Sequence, residues 1–202
     1  FISLNQSGKF KTDVNSEWLP IKASEYFTIK KPNFLWQSEI KSSKFFWVKA
    51  IDSYLNGTGN MLIKINSSIT IADSWGIELD KSGLFRYLSE AVFFPTSLLP
   101  SENLEWNILD SNIAEIKYKD GENSVVAKFY FSDDSTISKI ETRDKYRAMN
   151  SDYKESLYTI YFYDYKYFSN SFFVPSYFEV EWDLGDSKFK YGKFKIENIT
   201  YE

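Results

Sequence analysis

The sequence contains no cysteine and no histidine. That excludes disulfides, thiol nucleophiles, zinc sites built on Cys or His, and Ser-His-Asp triads. No stretch approaches the roughly 20 apolar residues of a membrane-spanning helix. A basic face is lacking too. Lys and Arg number 24 against 28 Asp and Glu, giving a net charge of −4 and a pI near 5.1. The longest basic cluster is Lys30-Lys31, too short for an anionic membrane patch, and nucleic acid is not an expected partner. Gly57-x-Gly59 lacks the third glycine of a dinucleotide fingerprint, and neither a phosphate loop nor a G-x-S-x-G elbow is present. The Asp-bearing stretches at 110–112 and 120–123 are too sparse for a calcium loop. No cofactor or metal is therefore expected. Phe1, rather than methionine, opens the chain, which leaves room for an upstream signal peptide or anchor.

Aromatic residues are abundant: 18 Phe, 15 Tyr and 6 Trp, or 19% of 202 residues, a richness that favours strands. Asn56–Gly59 and Asp120-Gly121 are the two clear hairpin turns. Alternating segments follow through the chain and end in a three-strand meander over residues 158–201. Its first strand places Tyr161, Tyr163, Tyr165 and Tyr167 on one face, with Tyr158, Ile160 and Phe162 opposite. Two helices are expected. One lies in residues 16–30, with a proline near its first turn and Ile21, Ala23 and the Tyr26-Phe27 pair on one side. The other runs from about Ser82 to Phe94 and is closed by Pro95. Arg147–Ser156 reads as a loop or short irregular helix.

These elements predict a mainly β (α+β) fold: a curved antiparallel sheet or half-barrel of about nine to ten strands, too long to stay flat. One of the two helices packs across its concave face. No composition break or repeat divides residues 1–202, so a single domain is expected, with 1–15 as an N-terminal extension or edge strand.

The segment Leu84–Phe94 carries the most functional information. It is apolar nearly all round, the mark of a buried helix, yet it holds Arg86 and Glu90 four residues apart. Three readings stay open. The pair lies on the one wet strip of the helix, or ties the helix to backbone groups of the sheet. It faces a cavity, with Arg86 anchoring an anionic head group and Glu90 orienting it. Or Glu90 is an acid/base raised in pKa by burial. For the last, Asp52, Asp73, Asp80 and Glu78 are equal candidates for a second carboxylate, so no catalytic residue is assigned. The expected ligand-contacting set is Arg86, Glu90, Phe93, Phe94, Trp36, Trp106 and Trp182, around an apolar or lipid-like ligand. A structural or protein-interaction module without ligand is the alternative function, and no particular protein partner is indicated.

The blocks "EWLPIKASEYF", "KPNFLW", "DSYLNGTGNM", "RYLSEAVFFPTSLLP" and "VPSYFEVEWDLGDSKFKYGKFKIENITY" occur in that order. Together they resemble a family of bacterial envelope domains of unknown function, over about residues 16–201. The Arg86-x-Leu88-x-Glu90…Pro95 block is the most specific part. The resemblance implies an extracytoplasmic location, periplasmic or membrane-anchored. It also implies a fold similar to the half-barrel of periplasmic lipoprotein carriers. Two departures stand out: Phe93 and Phe94 where the family often carries Trp, and Asn170 where a glycine is expected.

Overall fold

The computed structural model describes residues 1–43, 45–149, 152–168 and 172–202. Its strands are β1 (Ile2–Phe10), β2 (Leu19–Thr28), β3 (Asn33–Lys41), β4 (Trp47–Leu55), β5 (Thr58–Ile65) and β6 (Ile69–Ser74) before the helix α1 (Ile77–Glu90). After it come β7 (Leu104–Asp110), β8 (Ile113–Asp120), β9 (Asn123–Phe131), β10 (Ile137–Thr142), β11 (Tyr146–Met149), β12 (Asp152–Glu155), β13 (Tyr158–Phe168), β14 (Phe172–Asp183) and β15 (Lys188–Tyr201). Thirteen strands form one antiparallel sheet in the order β6-β5-β4-β3-β2-β1-β15-β14-β13-β10-β9-β8-β7, while β11 and β12 pair as a separate hairpin.

The mainly β half-barrel is as expected, but the element counts differ. The sheet has thirteen strands rather than nine or ten, and α1 is the one α-helix among the described residues. Residues 16–30 are not helical. Ile21, Ala23, Glu25 and Phe27 are all buried, a period of two that makes the segment strand β2. Pro20 sits at its second position, near the strand end, where a missing amide is tolerated. Of residues 147–156, expected as a loop or short irregular helix, 147–149 and 152–155 belong to the paired strands β11 and β12, with Tyr146 opposite Glu155 and Met149 opposite Asp152. β1, expected as an extension or edge, lies between β2 and β15.

The sheet curls without closing. Register shifts at Asn5/Gln6, Ile63/Lys64, Ile108/Asp110, Ile137/Lys139 and Val180/Glu181 add local twist. The two hairpin turns visible in the sequence come from opposite wings and meet. Tyr54 Oη donates to Asp120 Oδ2 at 2.8 Å, and Asn123 Nδ2 donates to the Gly57 carbonyl at 2.7 Å. Asn56 and Gly57 take the positive φ of a tight hairpin, at 51° and 87°.

Helix α1 starts earlier than expected, at Ile77, with Glu78 and Asp80 in a first turn where negative charge offsets the helix dipole. The start is docked on β5. Gly59 N donates to Asp80 Oδ1 at 2.7 Å, and a Cβ at Gly59 would lie 2.1 Å from the Leu79 carbonyl oxygen. From Ser82 onward every helix residue except Arg86 is buried. Two single 3-10 turns, Ala91–Phe93 and Pro95–Leu98, follow on either side of Phe94, so Pro95 begins a new turn after the α-helix has ended. Phe93 packs on Phe162 and Phe178, and Phe94 on Phe27 and Tyr87.

Candidate functional site

The arginine of α1 drops onto a row of inward side chains. Leu4, Glu25, Trp36, Asp52 and Met61 are successive cross-strand partners on β1 to β5, so they lie side by side. Arg86 Nη2 donates to Glu25 Oε1 at 2.8 Å, Nη1 to Asp52 Oδ2 at 2.8 Å, and Nε to Glu90 Oε1 at 3.1 Å. All three sides of the guanidinium fork are thereby used. Its carbon lies 5.1 Å from the centre of the Phe34 ring and 4.7 Å from that of Trp36, within the range of cation–π attraction. Further hydrogen bonds hold Glu25 and Trp36 in place. Gln6 Nε2 donates to Glu25 Oε2 at 2.9 Å and accepts at Oε1 from Trp36 Nε1 at 3.1 Å.

The electrostatics follow from burial. The Glu25 side chain is 0% exposed and that of Arg86 15%. Desolvation lifts the Glu25 pKa well above the carboxylate range; Arg86 opposes the rise, and Glu90 and Asp52 add to it. Desolvation also works against the Arg86 charge, but Glu25, Glu90 and Asp52 outweigh it and hold its pKa above the ordinary value. Glu90 Oε2 is buried with no donor. Lys145, just before β11, faces the same cluster over the Tyr158 ring at 5.3 Å, and burial lowers its pKa. Tyr158 and Tyr191 join hydroxyls at 3.0 Å, and burial pushes Tyr191 up to about 12.

The expected residues thus divide. Arg86, Glu90 and Trp36 come together in this cluster. Trp182 reaches its edge through Tyr158, with ring centres 4.7 Å apart. Phe93 and Phe94 are packed in the core, each 1% exposed, and have no open space before them. Trp106 lies elsewhere, between Phe129 and Phe131, donating to the Leu98 carbonyl at 2.8 Å. Of the four carboxylates that composition left equal, Asp52 is in the cluster. Asp80 binds Gly59, Asp73 accepts from Asn60, and Glu78 lies in the first turn of α1. Glu25, Gln6 and Lys145 were missed. The signal for Glu25 was its inward position in the period-two pattern of β2. Asn170 lies outside the described residues.

Along β13, Tyr158, Ile160 and Phe162 are buried while Tyr163 and Tyr167 are exposed, as the alternation requires. Tyr165 departs from its face: it packs against the core and donates to the Ile137 carbonyl at 2.7 Å. Between them, Asp164 has a φ of 55°.

Among the described residues, recesses open at the surface in at least two places. The one on the rim of the concave face has a volume of about 350 Å³. It lies between the loop after β1 (Lys11, Thr12, Asp13, Val14) and strand β11 (Arg147, Ala148, Met149), and Trp182, Phe189 and Tyr191 lie along it with Phe10. A second, about 300 Å³, lies beside Trp18 and Tyr177 among Lys9, Lys193 and Lys195. Glu90 borders neither recess. Among the described residues no helix is long and apolar enough to cross a membrane, and no group of acidic side chains is arranged to hold a metal ion.

The fold is similar to that of a crystal structure described as an outer membrane lipoprotein-sorting protein domain from Vibrio parahaemolyticus. The match has a TM-score of 0.56 and 11% identity, and covers 100% of this chain and 85% of the other. No curated protein matches the chain. A family model described as a family of unknown function (DUF6544) matches residues 1–194, and the chain belongs to that family.

Proposed function

We propose that the chain is a non-enzymatic, extracytoplasmic domain of carrier type that takes an apolar or lipid-like ligand in the recess beside β11. The observation that carries this reading is the recess itself, where half-buried Phe189 and Tyr191 and the edge of the buried Trp182 lie beside Lys11 and Arg147. Ligand pockets join apolar walls to a few polar groups, and this one does so. The half-barrel likeness to a lipoprotein-sorting domain supports a carrier role. On this reading Trp182 touches ligand, Phe93, Phe94 and Trp106 are packing residues, and Arg86, Glu90 and Trp36 anchor the helix.

The test is native mass spectrometry of the purified protein, with displacement of a fluorescent fatty-acid analogue. Met149 is 40% and Val14 43% exposed, so Met149→Asp and Val14→Asp place a carboxylate against the ligand without disturbing the core. Wild type is expected to retain one acyl-chain molecule and both variants to lose it. Absence of bound lipid together with no displacement would refute the carrier reading.

One other observation favours a protein-interaction role. The edge strand β6 and the residues after it expose Ile69, Ile71, Trp75 and Ile77. An open, apolar edge is a template for strand addition. If it is used, Ile71→Lys reduces self-association or partner capture in size-exclusion chromatography; unchanged elution of a protein that remains monomeric at high concentration counts against it.

A further inference from the structure

We propose that the recess beside β11 selects single-chain amphiphiles with an anionic head, and that the Arg147 guanidinium is the counter-charge of that head. This deepens the carrier reading and rests on it. The chain has three arginines. Arg86 is held by Glu25, Asp52 and Glu90, and Arg143 lies 3.6 Å from Glu155. Arg147 alone has no carboxylate or hydrogen-bond partner among the described residues, although its Nε is covered from solvent. A covered donor left unbonded is costly, and a charged one more so, which marks a place where an acceptor is missing.

The surroundings say what kind of acceptor fits. Lys11 shares the recess, but its Nζ is turned to the Val14 carbonyl at 3.1 Å and lies near the Trp18 ring. Asp13 also borders the recess, beyond ion-pair range of Arg147, and its Oδ1 accepts from Asn15 N at 3.0 Å. It weakens binding of an anion without neutralising the guanidinium. With Arg147 and Lys11 against Asp13 the recess carries one net positive charge. Phe189 and Met149, with the edge of the buried Trp182, give a small apolar surface beside Arg147 for part of a chain. The volume of about 350 Å³ sits at the small end of ligand pockets (roughly 300–1,000 Å³), which suits one chain rather than two. A guanidinium fork binds carboxylate and phosphate alike, so the shared chemistry is an anionic oxygen pair at the end of an acyl chain.

The experiment measures displacement of the fluorescent analogue from the full chain by oleate, by oleoyl lysophosphatidate and by neutral monooleoylglycerol. Arg147→Gln and Arg147→Lys are compared with wild type, after circular dichroism shows that each is folded. Wild type is expected to prefer one or both anions over the neutral lipid by about tenfold. Arg147→Gln collapses that ratio towards one, and Arg147→Lys restores part of it. Oleate and lysophosphatidate separate carboxylate from phosphate, and a preference for either supports the proposal. Equal binding of all three lipids, or an anion preference that survives in Arg147→Gln, overturns the proposal while the carrier reading stands. Failure of all three to displace the analogue overturns both.

Discussion

Replacing Arg86 by methionine keeps much of the aliphatic stem and removes the charge, so it isolates the buried ion cluster. The variant leaves Glu25, Asp52 and Glu90 facing one another around a site with no guanidinium. Losing one partner of a buried pair costs about 3–5 kcal/mol, mostly from the charge left behind. Three acceptors are stranded here and two cation–π contacts are lost, but the carboxylates relieve part of the penalty by binding protons. A loss of about 5 kcal/mol is the resulting expectation, a large share of a typical stability of roughly 5–15 kcal/mol. For a chain of this size that is on the order of 10–20 °C in thermal midpoint. The pH dependence separates charge from packing. Glu25 already has a raised pKa in the folded state, and removing Arg86 raises it further. A raised carboxylate contributes stability below its unfolded pKa and loses it as pH climbs through the folded value. The deficit of Arg86→Met, read by urea unfolding, should therefore be smaller at pH 5 than at pH 8. A loss under about 1 kcal/mol would refute the cluster as a buried network, and a larger but pH-independent loss would reduce it to packing.

Glu25→Gln carries a related sign. Folding raises the Glu25 pKa from 4.5, so the wild type loses stability as pH rises above that value, and the variant lacks this titration. At low pH the amide NH₂ meets a donor of Gln6 or Arg86 and costs about 1–3 kcal/mol; the gap to wild type should narrow by pH 8, and parallel stability curves would contradict the protonation of Glu25. Gly59→Ala tests the docking of α1, because its Cβ would strike the Leu79 carbonyl. It should lower stability by at least 1–3 kcal/mol, the usual cost of overpacking. A thermal midpoint within one or two degrees of wild type would show that the helix start shifts freely.

How much of this was legible in the sequence depends on the range of the interaction. The hairpins at Asn56-Gly57 and Asp120-Gly121 are local events dictated by backbone conformation, and they form as read. The buried character of α1 was visible because apolar residues surround it on every side. Strand β2 was not, because an acidic residue sits on its inward face. Glu25 occupies a position where a strand pattern calls for an apolar residue, so the charged member of the site masked the period of two and left a helix-like spacing. The partners of Arg86 were hidden differently. Asp52 and Glu25 are 34 and 61 residues away, and only the register of β2 to β4 puts them on one row. Glu90, four residues away, was the one partner that helix geometry alone could supply.

The cluster and the recess are mechanically continuous. Arg86 fixes α1 on the row formed by Glu25, Trp36 and Asp52. One turn earlier on the helix, Ser82 Oγ accepts from Tyr146 N at 2.9 Å and so holds the first residue of β11. Lys145, the residue before it, lies over Tyr158, whose hydroxyl meets Tyr191 on the side of the recess. Arg147 follows two residues after Lys145, with its position set by the same strand. Arg86 spends all three sides of its guanidinium on Glu25, Asp52 and Glu90, whereas the side chain of the arginine on β11 has no partner among the described residues. That contrast argues that Arg86 and Glu90 are anchors, and that recognition falls to the hairpin they hold in place.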